Sequence, residues 1–182
     1  RKTNVYLVAD VSGSMQGEKL EQAKEAFLAF LDSIKGDQER VGLIVFSSDV
    51  YETIPLAELA SNRQVLRSTI AGLSAGGDTS LLDAIYMAYD KLQQRQDRER
   101  INAIVVMTDG KENDSEISLR ELTNRLRQGN ESGLPVVVFC VAYGDDADMA
   151  TLEKISAATG GQTRRGTPET IRQLYKLLST YF

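Results

Sequence analysis

The chain has 182 residues, 42% apolar and 26% charged, with a net charge of −5, a size and balance that suit one globular domain with a substantial core. The acidic surplus argues against a nucleic-acid backbone as partner. There is no histidine, which excludes histidine-based triads, histidine zinc sites and imidazole bases, and no apolar run approaches the ~20 residues of a membrane span.

Residues 1–4 lead almost at once into an apolar run, 5–9 (VYLVA). So abrupt a start predicts a domain, 1–182, taken from a longer multidomain protein. The run has the pattern of a strand buried on both faces of a parallel sheet. It stops at a polar sextet, 10–15 (DVSGSM), placed at the strand's carboxyl end, where open α/β sheets bind ligands. Residues 18–34 carry Leu20, Ala23, Phe27, Phe30, Leu31 and Ile34 at helical spacing, with Gly36 as the expected C-cap. A second buried strand follows at 41–46 (VGLIVF). Residues 51–54 alternate after the turn Ser48-Asp49, which predicts a hairpin and a short antiparallel edge strand. Residues 61–73 form a helix with Ser61 as N-cap. A glycine-rich loop, 74–80 (SAGGDTS), then opens a helix bearing Leu81, Ile85, Ala88, Tyr89 and Leu92. The stretch 95–100 (RQDRER) is expected as a solvated face.

A third apolar strand, 101–107 (INAIVVM), ends in Thr108-Asp109-Gly110. Ser118 and Glu121 form a capping box for a helix with Leu119, Leu122 and Leu126 on one face. Gly133 and Pro135 precede a strand at 136–143 that contains the single cysteine, Cys140, as a buried apolar residue and not a nucleophile. Asp148 caps a helix through Met149, Leu152 and Ile155, closed by Gly160-Gly161. Residues 162–165 form a last short strand, and Thr167-Pro168 opens a helix carrying Ile171, Leu174, Leu177 and Leu178 to the terminus. This alternation predicts an α/β fold: a three-layer, doubly wound, mostly parallel sheet of about six strands, one short antiparallel edge strand, and helices on both faces.

Three polar clusters then share one end of the sheet: Asp10, Ser12 and Ser14; Thr79; and Asp109. Two of them follow strands that should be neighbours where the strand order reverses and a crevice forms. Carboxylate and hydroxyl oxygens suit a hard divalent cation. The sextet alone would serve equally as a strand end and a serine-rich helix cap. In combination, D-x-S-x-S at 10–14, the threonine of a Gly-Gly-x-Thr-type loop and the aspartate of a T-D-G turn resemble the von Willebrand factor type A domain with its metal-ion-dependent adhesion site. The resemblance spans essentially the whole chain.

The resemblance implies that Ser12 and Ser14 ligate Mg²⁺ or Mn²⁺ directly, that Thr79 joins directly or through water, and that Asp10 and Asp109 act through waters and hydrogen bonds. Neutral hydroxyl ligands leave a cation most of its charge, so one water position can pass to an Asp or Glu carboxylate of a protein partner. Asp78 stands before Thr79 where some members have glycine, and is expected as a turn former or a rim charge. Asp83 is expected to face helix N-terminal amides, Ser47, Ser48 and Asp49 to shape the rim, and Glu112 and Asp114 to be loop charges or partner contacts. Some members of the family shift their last helix as the metal ligation changes; that helix would be 167–182 here, and nothing in its sequence demands bistability.

The function expected is a non-enzymatic, metal-dependent protein-binding module, carried with other domains of its parent chain. It would bind no nucleic acid and insert no segment into a membrane. An enzymatic alternative resembles the haloacid dehalogenase phosphotransferases, but their D-x-D-x-T/V motif fails at Ser12, and neither a P-loop nor G-x-G-x-x-G follows the first strand. A second alternative is an assembly scaffold with a structural metal. Localisation stays open, with an extracytoplasmic surface role favoured over a cytosolic one, and residue usage points towards a bacterial source. Two glycosylation sequons begin at Asn113 and Asn130, a tripeptide common by chance.

Overall fold

The computed structural model describes residues 1–178. Three strands are buried along their whole length and apolar through their middles: β1 (Thr3–Asp10), β4 (Ile101–Thr108) and β5 (Val136–Ala142). Burial on both faces is what a central parallel strand requires, and these three lie inside the sheet. With β2 (Arg40–Phe46), β3 (Val50–Glu58) and β6 (Thr163–Arg165) they form one six-stranded sheet in the order β3-β2-β1-β4-β5-β6. β3 runs antiparallel to β2 and every other pairing is parallel. The chain builds outwards from β1 in one direction, then returns to β4 and builds outwards in the other. The strand order therefore reverses between β1 and β4.

Helices cover both faces. On one, α1 (Glu18–Ser33), α2 (Leu59–Ala71) and α6 (Pro168–Leu178) bury Phe27, Phe30, Leu66, Ile70 and Leu174 against Val5, Leu7, Val105 and Phe139. On the other, α3 (Leu81–Arg95), α4 (Leu119–Ser132) and α5 (Met149–Ala157) bury Leu81, Ile85, Leu92, Leu126 and Leu152 against Val8, Ile104, Val106 and Cys140. Cys140 is 1% exposed, and burial pushes its thiol pKa up to about 12, so it stays a neutral apolar side chain as expected. Among the described residues no helix is long and apolar enough to cross a membrane.

Several boundaries differ from expectation, each for a tertiary reason. The antiparallel edge strand runs nine residues, past Pro55 to Glu58. Proline lacks an amide hydrogen, but β3 is an edge with one side unpaired, and its register against β2 shifts beside Leu43. α2 begins at Leu59 instead of Ser61. The amides of Leu59 and Ala60 donate to the carbonyls of Glu39 and Asp37, so no side-chain cap is needed, and the Ser61 hydroxyl donates to the Glu58 carbonyl. α1 stops at Ser33, ahead of Gly36. The Arg63 guanidinium donates to the carbonyls of Leu31 and Ile34 (both 2.8 Å) and takes the place of a glycine cap. Ser118 accepts from the Glu121 amide as expected, although the Glu121 carboxylate turns to Arg125, leaving half a capping box. Asp148 accepts from the Thr151 amide, and Thr167 from that of Thr170. The expected helix over 167–182 is α6 as far as Leu178; the remainder lies outside the described residues.

The 95–100 stretch is mostly exposed, as expected, but Asp97 within it is no free charge. Asp97 Oδ2 accepts from Asn4 (3.2 Å) and Arg40 (3.0 Å), and its carbonyl accepts from Asn102 (2.8 Å), tying β1, β2 and β4 together at their amino ends. The second sequon asparagine is also engaged. Asn130 bonds both the amide and the carbonyl of Val136 and sets the entry into β5.

Candidate functional site

The expected residues collect at the carboxyl ends of β1 and β4, beside the reversal of strand order. β1 ends in Asp10 and the chain leaves the sheet at once. Ser12 is extended, Gly13–Met15 make a single 3-10 turn, and Gly17 leads into α1. Asp10 is 1% exposed. Its Oδ1 accepts from the Ser12 amide (2.9 Å) and its Oδ2 from the Thr108 hydroxyl (2.6 Å), which joins the ends of the two strands. Burial raises the Asp10 pKa above the usual carboxylate range, and the Asp109 charge pushes the same way against the hydrogen bonds from Ser12 and Thr108. The hydroxyl oxygens of Ser12 and Ser14 lie 3.1 Å apart, so the alternate positions do meet. Ser12 is buried and Ser14 exposed.

The glycine-rich loop docks against this turn. The Gly13 amide donates to the Gly77 carbonyl (2.9 Å) and the Gly76 amide to the Val11 carbonyl (2.8 Å). Its other flank is held by the end of β2: the Asp78 amide donates to Ser48 Oγ, and Ser80 donates through its amide to the Ser47 carbonyl and through its hydroxyl to that of Ser48. The Asp78 backbone is held in the loop while its side chain stays exposed, and Ser47 and Ser48 pin the loop's flank. Thr79, 3% exposed, donates its amide to Asn113 Oδ1 (2.8 Å), and its carbonyl accepts from the amides of Asn113 and Asp114. Among the described residues the Thr79 hydroxyl has no hydrogen-bond partner.

Asp109 follows β4 and is fully buried. Its Oδ1 accepts from the Lys111 amide (3.2 Å), and its Oδ2 lies 3.4 Å from Lys19 Nζ. Gly110 beside it has φ 77°, and a Cβ there would stand 2.9 Å from the Asp148 carbonyl oxygen; the T-D-G turn requires its glycine.

Two expected roles change. Asp83 does not serve the amides of its own helix; it accepts from the amides of Glu116 (2.9 Å) and Ile117 (3.1 Å) and anchors the loop after β4. Glu112 is an organiser of that loop and no free charge. It accepts from the amides of Leu82, Asp114 and Ser115 and from the Ser115 hydroxyl. Lys19, Thr108 and Asn113 have roles here that the sequence does not assign them: Thr108 reads there as part of the T-D-G turn and Asn113 as a sequon. Lys19 and Asn113 carry no local mark of their role, whereas Thr108, beside Asp109 at a strand end, offered a usable signal.

The donor set is rich in hydroxyls. Among the described residues no three histidine, cysteine or acidic side chains gather as a metal site. Two buried carboxylates side by side with neutral hydroxyls nevertheless fit a hard divalent cation that retains water. The Thr79 hydroxyl, with no hydrogen-bond partner among the described residues, adds a further neutral oxygen at this end.

A family model, the von Willebrand factor type A domain, matches residues 4–178. Among curated proteins, the human inter-alpha-trypsin inhibitor heavy chain H4 is 34% identical over 169 residues, covering 89% of this chain and 18% of that protein. The chain therefore spans about a fifth of the length of such relatives. Three solved structures share the fold. A von Willebrand factor type A protein from Catenulispora acidiphila has a TM-score of 0.76 at 21% identity, over 98% of this chain and 42% of that one. Manganese-loaded Plasmodium vivax TRAP has 0.75 at 18%, over 97% and 73%. Proximal thread matrix protein 1 from the mussel byssus, with a zinc-occupied MIDAS motif, has 0.69 at 16%, over 98% and 44%.

Proposed function

Because the chain belongs to the von Willebrand factor type A domain family, we propose that its carboxyl-end site holds a divalent cation and binds an acidic group of a protein partner through it. The observation that carries this reading is the pairing of two buried aspartates, Asp10 and Asp109, with a hydroxyl set at one end of the sheet. Ser12, Ser14 and Thr79 are the proposed oxygen ligands for Mg²⁺ or Mn²⁺. Asp10 orients the turn through the Ser12 amide and, with Asp109, orients the water shell. When bound, the cation supplies an electrophilic position for an anionic oxygen. Neutral ligands keep that position strong, and an Asp or Glu carboxylate of the partner is the group suited to it. The manganese-loaded and zinc-occupied relatives support a divalent cation in this fold. The role is one of binding, with no catalytic residue assigned, and the domain acts as one interaction module of a longer chain.

The test uses Mn²⁺ as its own reporter. With Mn²⁺ bound, the enhancement of water proton relaxation should fall when a peptide bearing an Asp or Glu side chain displaces a bound water. The matching Asn or Gln peptide should leave it unchanged. Equal response to both peptides, or to neither, would overturn the carboxylate reading.

A further inference from the structure

Lys19 occupies a place that helix energetics disfavours. It is the second residue of α1, where the positive end of the helix dipole repels an ammonium group and where Glu18 and Glu21 are the expected companions. Its Nζ lies 3.4 Å from Asp109 Oδ2 and 3.4 Å from Asp146 Oδ1. Its side chain is 24% exposed, that of Asp109 is fully buried and that of Asp146 is 66% exposed. The lysine crosses directly over Gly144, which has φ 93°; a Cβ there would stand 2.5 Å from Lys19 Cε. Lys111 pairs with Asp146 from the other side, so Asp146 is shared by two lysines.

We propose that Lys19 is a built-in counter-cation that compensates the Asp109 charge in the metal-free domain and opposes the divalent ion as a like charge beside it, setting the metal affinity. The proposal rests on the metal reading above. Without a metal, Asp10 and Asp109 are two buried acids in mutual repulsion, and the ammonium offsets one of them. With a metal, the same ammonium is a like charge beside the site, and Asp146 offers it an exposed alternative partner. One interaction thus stabilises the free form and weakens binding, as linkage requires. Lys111 carries the same charge nearby and feels Asp109 at longer range, but it meets the Asp109 carboxylate directly only through its backbone amide, and its ammonium pairs with Asp146.

The experiment titrates Mn²⁺ into EDTA-stripped wild type, Lys19→Met, Lys19→Arg and Lys111→Met by calorimetry, and melts each in EDTA. Lys19→Met should bind Mn²⁺ about tenfold more tightly and melt at a lower temperature than wild type in EDTA. Lys19→Arg should keep both wild-type values, and Lys111→Met should change affinity by less than about twofold. Wild type that binds Mn²⁺ while Lys19→Met binds no more tightly would overturn the role of Lys19. An equal gain in Lys19→Met and Lys111→Met would overturn it in favour of a general surface field. Wild type that binds no Mn²⁺ would overturn the metal reading itself, and the proposal with it.

Discussion

At the amino ends of the strands, Asp97 is met by Asn4, Arg40 and Arg100, and Glu39 accepts from the Thr3 amide and hydroxyl and from Tyr175. At the carboxyl ends, Asp10 has neutral donors alone, and Asp109 shares its lysine with Asp146. Both ends bury acids on the same sheet, yet their electrostatics run in opposite directions. Asp97 loses some hydration to burial, but the Asn4 and Glu99 hydrogen bonds and the Arg40 and Arg100 charges hold its pKa below the usual carboxylate value. Asp10 is pushed above that value. The amino end is compensated within the chain, as a stabilising network should be; at the carboxyl end Asp10 lacks such compensation, which is the arrangement the proposed cation site calls for.

The comparison can be broken most severely at the carboxyl end. Asp109→Asn should weaken Mn²⁺ binding by roughly 10- to 100-fold, read by calorimetry, while circular dichroism shows the fold retained. Unchanged affinity would remove the contrast between the two ends. Asp97→Asn should do the reverse, costing about 2 kcal/mol of stability near neutral pH in urea melts with Mn²⁺ affinity within twofold of wild type.

Acid sharpens the same point. The folded pKa of Asp97 lies below its ordinary 3.8, so its contribution is present above that value and disappears as pH falls through the lowered one. The gap between wild type and Asp97→Asn should accordingly close in melts carried below the ordinary carboxylate value, and a gap that widens there would contradict the assignment. The smallest effect is Ser118→Ala, about 1 kcal/mol from the lost bond to the Glu121 amide, with metal binding untouched.

The parts of the fold legible from sequence are those with local causes. β1, β4 and β5 announce themselves as continuous apolar runs, and the polar stops after β1 and β4 place Asp10 and Asp109. What escaped depends on partners far along the chain. The edge position of β3 was legible, but its second half was not, because Pro55 reads as a strand end and is tolerated only through pairing with β2 on one side. Arg63 ends α1 from 29 residues away, and the 37–39 backbone starts α2. Lys19 looks like any helix-surface lysine until the T-D-G turn comes to meet it, 90 residues on. Asp97 and Glu112 look like loop charges until the strand ends and loop amides converge on them.

The central claim, that the hydroxyls beside Asp10 hold a divalent cation, is tested most directly by calorimetric titration of Mn²⁺ into EDTA-stripped wild type and the Ser12→Ala/Ser14→Ala double variant. Saturable binding at one site per chain in wild type, lost in the double variant while its melting in EDTA is retained, is the predicted result. Equal binding by both proteins, or none by wild type, would contradict it.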